Sequence, residues 1–581
     1  MDKQMPATAW YLGLDIGTAA IAATLLATDS GRLYPLYWSA RTGKTAEPPT
    51  ARLPAIAYFG CDTSTGSLAA RRLAVGAPAL KLARHTAGIW LDGMKPYLNT
   101  ALPFYSRKRR QWEPQLLGYG EQPVPLFWVQ RALQAMVATL TPAGRKHRYA
   151  LGAKGLTGAA LREILLNLQG VIVSCPAGWS DAYQFNVREA ILGAGLVPHP
   201  AQIFFLAEAT AALLESWHQG WVSGDRSTLV IHSGTSHTEL AIARLPAQPA
   251  DWSQTAVSAE SLAYGSNALS LDIFSHLLYP QWQPEQSFLQ ELAFEPPQPG
   301  QPDSPRREEA FTALQIFPAG RSLLATAWRV ALILRRQPEL ATHLGPQAWS
   351  VSRTALTTTI FEPLVQPVNQ AVNRLLSQQG LAADAITQIL FSGGLTPILL
   401  PALQPWLARK FPLASLVRAS ESQPGRLVAR GLARLPAHPQ LLDRRQHQYS
   451  DYFLLAELLT VLTDASVVTW PDIAQQLEQR GVNTRACQTR LTALLTGTLP
   501  PGLLPDPATT PRLTPDSRRC LEYRAIAAAP LSQLDAEQRY HPNHQQSRRL
   551  QQFLALALTG ATQSLGEPLS ADLQAIAHPE P

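Results

Sequence analysis

Apolar runs of strand length alternate with helical patterns through the first 440 residues of the chain. The stretch 9–28 holds two apolar runs around the letters DIGT (15–18), which predicts a strand hairpin. A second strand–turn–strand pattern occupies 229–245, and the stretches 171–196 and 203–217 each lead from a buried strand into a helix. Such alternation of strands and helices is typical of an α/β fold.

The pattern changes near residue 440. The stretch 281–308, rich in proline and glutamine in its later half, predicts an exposed loop insertion. Beyond residue 440 helical patterns dominate, at 452–462, 471–481, 484–495 and 547–558. We therefore predict one domain over residues 1–440 and a mostly helical C-terminal domain over 441–581. Within the first domain, the stretch 67–83 also has a helical pattern.

Composition narrows the class of protein. With 46% apolar and 16% charged residues, the chain of 581 residues is typical of a globular protein. A net charge of +7 is modest for this length and gives weak support for nucleic-acid binding. The four cysteines lack metal-binding spacing, which indicates a reducing compartment. The chain shows no apolar signal core and no apolar run of the roughly 18 residues that a membrane helix needs, so we expect a soluble cytoplasmic protein without membrane contact.

Four short segments carry candidate chemistry. The DIGT turn offers backbone amides and the Thr18 hydroxyl to a phosphate, with Asp15 placed near a hydrated Mg²⁺. Glu208 opens an apolar helix, the pair Gly393 and Gly394 follows an apolar strand, and the second hairpin turns through small hydroxyl residues. Taken singly, each segment has a plain alternative, namely an ordinary hairpin, a helix-dipole contact or a simple glycine turn.

In their order along the chain, these segments resemble the seventy-kilodalton heat-shock chaperone family of the actin-like ATPase superfamily. LGLDIGTA (12–19) is similar to its first phosphate hairpin, FLAEATAAL (205–213) to its NEPTAAA segment, and ILFSGGLTPI (389–398) to its adenosine motif. The resemblance runs from about residue 9 to residue 437. It implies an α/β, two-lobed actin-like ATPase fold with ribonuclease-H-like sheets and a nucleotide in the cleft between the lobes, followed here by the helical C-terminal domain.

The resemblance also implies ATP or ADP and Mg²⁺ as cofactors, and it assigns residues to them. Lys95 corresponds to the lysine near the transferred phosphate, with Lys81 as the fallback, and Glu208 to a catalytic acid. Asp15 is the residue implied for the metal. The residues implied to hold the cofactor are Asp15, Gly17, Thr18, Gly234, Thr235, Glu239, Gly265, Gly393 and Gly394.

The second hairpin departs from the family pattern D-L-G-G-G-T-x-D. Its two acids fall on His232 and Glu239, and its threonine falls on His237. Histidine does not replace a carboxylate toward hydrated Mg²⁺, so we expect the catalytic position of His232 to support slow hydrolysis or none. On the helix that carries the adenosine clamp of the family, Arg329 and Leu332 occupy the positions of its acid and lysine, and plain packing is the favoured interpretation there.

The C-terminal region departs as well, because no alternating strands predict the peptide-binding sandwich of the family. The stretch 469–495 is a candidate helix-turn-helix. However, residues 441–581 hold twelve basic and fourteen acidic residues, and DNA-binding modules rely on concentrated positive charge. The charge of this region therefore argues against nucleic acid as a partner, and we expect an unidentified protein partner to dock on it.

Four interpretations of function follow. The leading one is a divergent nucleotide-binding protein of the heat-shock chaperone type, possessing weak ATPase activity at most, that signals to a partner by lobe closure. The alternatives are a pseudo-ATPase scaffold that binds no nucleotide, a carbohydrate or acetate kinase of the same superfamily, and a nucleic-acid-binding regulator that uses the C-terminal helix-turn-helix.

Overall fold

Two sheets that share one strand order form the centre of the molecule in this computed structural model. The first contains β1 to β5 (Trp10–Ile16, Ala20–Ala27, Arg32–Thr42, Gly170–Cys175 and Ile203–Ala207) and the second β6 to β10 (Arg226–Ser233, Thr238–Leu245, Val257–Leu262, Ile386–Ser392 and Ser415–Arg418). The structure describes residues 8–42, 45–60, 72–84, 88–102, 105–106, 111–112, 114–118, 123–281, 295–302, 304–344, 347–419, 426–442, 449–507 and 510–563.

The two sheets have the same topology. The first runs β3-β2-β1-β4-β5 and the second β8-β7-β6-β9-β10. In each, the opening three strands pair antiparallel, and the first of them then pairs parallel with the fourth. The strands β2 and β4 are buried along their whole length, in agreement with their mostly apolar sequences. A further strand, Tyr149–Ala153, extends the first sheet beyond β3.

Helices cover the sheets and connect the two halves. Those used below are α1 (Asp181–Gly193), α2 (Glu208–His218), α3 (Ser304–Ile316), α4 (Pro318–Leu334) and α5 (Leu427–Arg434). Among the described residues, the other α-helices before residue 440 are Ala77–Ala83, Trp128–Ala138, Gly158–Leu166, Ser266–Asp272, Arg353–Leu356, Glu362–Gln379 and Thr396–Lys410. Short strands pair at Leu53–Pro54, Ala57–Gly60, Arg72–Val75, Gly88–Leu91, Gln115–Leu117, Pro123–Pro125, Glu339–Leu344 and Gln347–Ser352.

The helices α2 and α5 cross between the sheets at close range. A Cβ on Gly431 would lie 1.8 Å from the Ala211 carbonyl oxygen, and a Cβ on Gly13 would lie 2.2 Å from the Ala429 carbonyl oxygen. Glycine is therefore required at both positions. The fully buried Glu215 of α2 accepts hydrogen bonds from two arginines of α5, Arg430 and Arg434. Glu208 of α2 and Val428 of α5 line the cleft between the two sheets. We call the first sheet with the elements packed on it the first lobe, and the second sheet with the elements packed on it the second lobe.

The C-terminal region packs on the first lobe. Its principal helices are α6 (Asp451–Leu462), α7 (Trp470–Gln479), α8 (Thr484–Leu495) and α9 (His544–Ala557), with short helices at Pro515–Arg518 and Leu521–Ala527. Three short strands, absent from the prediction, form a small sheet: Val468–Thr469, Ser532–Leu534 and Arg539–Pro542. The core of this region includes Ala101 and Phe185 of the first lobe, and the rings of Phe185 and Tyr452 lie 4.5 Å apart.

Two expectations for local structure are confirmed only in part. The predicted helix 67–83 is helix at Ala77–Ala83, and its residues 67–71 lie outside the described residues. Residues 72–75, predicted as helix, form a strand because they pair with Ala57–Gly60, and Gly76 with φ of 63° separates that strand from the helix that follows. The predicted loop 281–308 ends in helix, since α3 begins at Ser304. Part of that loop, 282–294, lies outside the described residues. Among the helices that the structure describes, none combines the length and apolarity needed to cross a membrane.

Candidate functional site

A cleft of about 780 Å³ lies between the two sheets, within the range of small-molecule sites. Three turns at the ends of strands line it, together with side chains from α2 and α4. Most residues that the sequence assigned to the site line this one cleft: Asp15, Gly17, Thr18, Lys95, Glu208, His232, Gly234, Thr235, Gly393 and Gly394. Two others, Glu239 and Gly265, lie behind its wall.

The first turn joins β1 to β2. The Gly17 amide donates to the Ala20 carbonyl over 3.1 Å, and a Cβ at Gly17 would lie only 2.6 Å from that oxygen. Across the cleft, the Thr18 and Ser236 hydroxyl oxygens are 2.7 Å apart. The turns of the two lobes therefore contact each other directly.

The second turn joins β6 to β7 and is supported from behind. The Gly234 amide donates to the His237 carbonyl over 2.9 Å, while the Ser266 amide donates to the Gly234 carbonyl over 3.1 Å. A Cβ on Gly265 would lie 2.5 Å from the Thr235 carbonyl oxygen, so glycine is needed for this approach. Gly265 thus supports the turn and does not line the cleft.

A buried network centres on the Glu208 carboxylate. Lys95 Nζ donates to Glu208 Oε1, and the Nε2 atoms of His237 and His232 lie 3.2 and 3.5 Å from Glu208 Oε2. All four side chains are buried. Lys95 begins a short 3₁₀ helix, Lys95–Asn99, which directs it into the cleft. Lys81, the fallback lysine, is exposed on another helix and does not line the cleft.

The ionisable groups of the network have shifted pKa values. Burial raises the pKa of Asp15 to about 6, and the charge of Glu208 adds to this effect while Lys95 opposes it. Burial lowers the pKa of His232 to about 4, so its ring is neutral at pH 7. Burial alone would raise the pKa of Glu208, yet the Lys95 ammonium and then His237 hold that pKa well below its ordinary value. Glu208 is therefore ionised in the cleft.

Glu239, which the sequence assigned to the cofactor, bonds to the protein backbone and does not line the cleft. Its two carboxylate oxygens accept hydrogen bonds from the backbone amides of Ala209 (2.9 Å) and Ala177 (3.1 Å). Burial and then the charge of Glu208 raise its pKa to about 8. Glu239 thus joins β7 to the start of α2 and to the loop after β4.

The third turn, Gly393–Gly394 after β9, forms the other end of the cleft together with α4. Gly393, with φ of 93°, lies so close to the second turn that a Cβ would be 2.2 Å from the Ser233 carbonyl oxygen. Four residues of α4 and the residue that follows it line the cleft: Arg321, Leu324, Ala325, Trp328 and Arg335. Arg329 and Leu332, which the sequence aligns with the clamp positions, do not line the cleft, and both are exposed, so the expected packing of these two side chains is wrong.

The donor atoms do not fit a hydrated Mg²⁺. Magnesium binds through oxygen atoms and demands near-octahedral geometry. Here the position expected to carry an acid holds the neutral imidazole of His232, and His237 places a second imidazole at the same carboxylate oxygen. Asp15 and Glu208 remain as carboxylates, with Lys95 bonded to the latter. No chemical step through Mg²⁺ is therefore assigned to these residues.

No protein-family model matches the chain. Over 283 residues it is 26% identical to the "Chaperone protein HscA homolog" of Tolumonas auensis, covering 48% of this chain and 38% of that protein. Over 269 residues it is 27% identical to the "Chaperone protein HscA" of Edwardsiella ictaluri, covering 46% of this chain and 36% of that protein. The chain thus spans little more than a third of the length of these curated relatives. The matches support similarity to chaperones of the seventy-kilodalton type at a coarse level, and the mixed α/β structure is compatible with their two-lobed fold.

Sequence reasoning missed several residues of the cleft. Arg52, Trp328 and Arg418 all line it, and none belongs to a motif. The contact between His237 and Glu208 was also missed, because 29 residues separate them in the chain. The signal that was available is the replacement of an acid and a threonine of the family pattern by two histidines, His232 and His237, in one hairpin.

Proposed function

We propose that the cleft binds an adenine nucleotide, ATP or ADP. The observation that carries the proposal is the convergence of three strand-end turns from two sheets of equal topology on one cavity of about 780 Å³. Backbone amides at such turns suit phosphate groups, and Lys95, Arg52 and Arg418 line the same cavity. The coarse similarity to chaperones supports this class of ligand.

The nucleotide would lie with its phosphates between the first two turns. Its base would lie between the Gly393–Gly394 turn and α4, where the half-buried indole of Trp328 offers a flat apolar surface. Hydrolysis would be slow or absent, because the neutral His232 ring takes the place of a charged acid in the cleft.

A signal to a protein partner would pass from lobe motion through the C-terminal region. This region touches both lobes: its core contains Phe185 of the first, and Arg518 lies 3.7 Å from Glu309 of α3. A partner would use its outer surface, since the apolar stripe of Leu454, Leu455, Leu458 and Leu462 is buried within the molecule.

A nucleic-acid role has less support. The predicted helix pair is present as α7 and α8, with Thr469 capping α7. Of the two arginines expected on α8, Arg485 is exposed, whereas Arg490 bonds to Asp451. A pseudo-ATPase scaffold stays the main alternative to nucleotide binding.

Filling the cleft tests the proposal. Gly394 is exposed and faces the cavity, and a Cβ added to it would meet no heavy atom within 4 Å, so Gly394→Trp should block the cleft without disturbing the fold. Gly152 is equally open but lies on the edge strand Tyr149–Ala153, which makes Gly152→Trp a matched control. Calorimetric titration with ADP should show loss of binding only in Gly394→Trp. Equal ADP affinity in both folded variants would refute the site.

A further inference from the structure

The Lys95 side chain reaches the cleft from a short helix that two separate parts of the chain hold. Lys95 begins the 3₁₀ helix Lys95–Asn99, its ammonium bonds to the Glu208 carboxylate, and only 3% of the residue is exposed. A 3₁₀ helix of this length is a connector whose position depends on its neighbours. The place of the ammonium in the cleft therefore depends on what holds this helix.

The first lobe holds the helix on one side, next to α1. The Ser180 amide and hydroxyl donate to Asn99 Oδ1 over 2.9 and 2.8 Å. Asn186 of α1 donates to the carbonyls of Leu98 and Thr100 over 2.8 and 2.7 Å. These bonds fix the end of the helix that lies away from Lys95.

The C-terminal region holds the same end of the helix through its own backbone. The Ala101 amide donates to the Gly502 carbonyl over 2.6 Å, and the Thr100 hydroxyl donates to the Leu504 carbonyl over 3.1 Å. Gly502 has a φ of 76°, and a Cβ there would lie 2.2 Å from the Asn99 carbonyl oxygen. Glycine is therefore required for this close approach of the two backbones.

Side chains continue the contact in both directions. The Arg512 guanidinium lies 5.7 Å from the centre of the Tyr97 ring, in the middle of the helix. Leu503, in the middle of the segment 502–504, is 1% exposed and packs in the core of the C-terminal region. Packing is thus continuous from that core to the helix that carries Lys95.

We propose that the segment 502–504, together with Arg512, positions Lys95 and makes phosphate binding in the cleft depend on the docking of the C-terminal region. The ammonium is a compact point charge, so its attraction to a phosphate falls as it moves away. Gly502, Leu504 and Arg512 are positioning residues, because none of them lines the cleft. The inference rests on the proposed function for the nucleotide and adds what regulates its affinity.

The first test measures the reaction of lysine amines with a trace of acetic anhydride in the full-length protein without nucleotide. In the wild type, the buried and bonded amine of Lys95 should react much more slowly than that of the exposed Lys146. Gly502→Ala should raise the reaction of Lys95 at least about tenfold relative to Lys146, because the added methyl group must displace the Asn99 carbonyl and the helix with it. Mass spectrometry of the digested protein measures both lysines.

Gly481→Ala is the matched control. Gly481 also has a positive φ, of 88°, but a Cβ there would meet no heavy atom of the described residues within 4 Å. It should leave the reaction of Lys95 at the wild-type level. Unchanged reaction of Lys95 in folded Gly502→Ala would overturn the inference.

Thr100→Val keeps the inference testable if Gly502→Ala fails to fold. It removes the hydroxyl that bonds to the Leu504 carbonyl and keeps the volume of the side chain. Reaction of Lys95 should rise at least about threefold, since one supporting hydrogen bond contributes about 1 kcal/mol. A wild-type reaction of Lys95 in this variant would overturn the inference as well.

A second test compares ADP with adenosine by calorimetry. Gly502→Ala should weaken ADP binding at least about tenfold and leave adenosine binding within about twofold, because displacement of Lys95 affects the phosphate contacts alone. Equal loss for both ligands would indicate general disruption of the cleft and would overturn the positioning role. If wild-type protein binds no ADP while Gly502→Ala exposes Lys95 to acetylation, the proposed function is refuted and the positioning of Lys95 stands.

Discussion

At the scale of single residues, His232 limits the chemistry of the cleft. Its ring is neutral near pH 7, because burial lowers its pKa to about 4, so it supplies no negative charge. A carboxylate at this position would add an electrostatic contribution of the kind that often dominates catalysis. The neighbouring Glu208 carboxylate is already bonded to Lys95, so it does not replace the negative charge that is missing at position 232.

We predict that His232→Asp raises steady-state ATP hydrolysis by at least about tenfold, which corresponds to about 1.4 kcal/mol of barrier. His232→Asn, of similar size but uncharged, is the control and should give no gain. Phosphate release at saturating ATP is the measurement. Equal rates in the two variants would show that the charge at this position does not limit turnover.

A histidine pair at the end of α2 makes stability depend on pH. The Nε2 atoms of His218 and His438 lie 2.8 Å apart, so one proton serves both rings. Burial and then the charge of His218 lower the pKa of His438 from 6.5 to about 4. Because the unfolded chain binds the proton more readily, the stability that His438 contributes is present above pH 6.5 and is lost as the pH falls toward 4.

We predict that the wild-type protein loses more stability between pH 7 and pH 5 than His438→Phe does. The difference should be about 1–2 kcal/mol, allowing for partial access of solvent to the ring. Thermal unfolding at both pH values measures it. His343→Phe, at an exposed position, should behave like the wild type. An equal loss in His438→Phe and wild type would contradict the pKa assignment.

Residues at turns were predictable and residues on helix faces were not. Asp15, Gly17 and Gly393 were found because the local sequence, an apolar strand followed by glycine, determines where the chain turns. Trp328 and Arg321 were missed because the face of α4 that meets the cleft depends on how α4 packs. A shift of one residue along a helix turns the expected face by about 100°.

At the scale of elements, the segment 510–518, here called the strap, joins the C-terminal region to the first lobe. The Thr514 amide donates to the Gln115 carbonyl over 2.9 Å, and the Gln115 amide donates to Ser517 Oγ over 2.8 Å. Between these bonds, Leu513 is only 1% exposed and packs in the core of the first lobe. The strap also carries Arg512, which lines a pocket together with Thr312 of α3.

We predict that Leu513→Ala detaches the strap, because truncating a buried leucine costs about 2–5 kcal/mol. Hydrogen exchange should increase in the strap and in the strand Gln115–Leu117. Leu521→Ala, at a position that is 73% exposed in the same region, should stay within about 0.5 kcal/mol of the wild type. Unchanged exchange in Leu513→Ala would show that the strap is held by its backbone hydrogen bonds alone.

The principal helices of the C-terminal region followed from the sequence, and the strap did not. The helices α6 to α9 occupy the stretches whose apolar spacing predicted them. The strap is rich in proline and threonine, and only its contacts with a strand about 400 residues earlier in the chain give it a fixed structure. The prediction of helix at Arg72–Val75 was wrong for a similar reason, because pairing with Ala57–Gly60 and not the local apolar pattern determines the conformation of these residues.

At the scale of the whole molecule, the C-terminal region shares its core with the first lobe. The buried Glu189 of α1 accepts hydrogen bonds from the amides of Thr562 and Gln563, and Arg188 donates to Gln563 Oε1 over 3.1 Å. The Asp451 amide at the start of α6 donates to Asp181 at the start of α1 over 2.6 Å. The division of the chain at residue 440 stays a prediction, and the shared core is a reason to study the chain whole.

Calorimetric titration of the full-length protein with ADP, in EDTA and then with added divalent cation, tests the central claim most directly. We predict saturable binding of one ADP per chain with a Kd in the micromolar range, about −8 kcal/mol, because the lysine, arginines and turn amides of the cleft suit a polyphosphate. Absence of both binding heat and any rise in unfolding temperature at millimolar ADP, with and without cation, would contradict the account and favour a scaffold that binds no nucleotide.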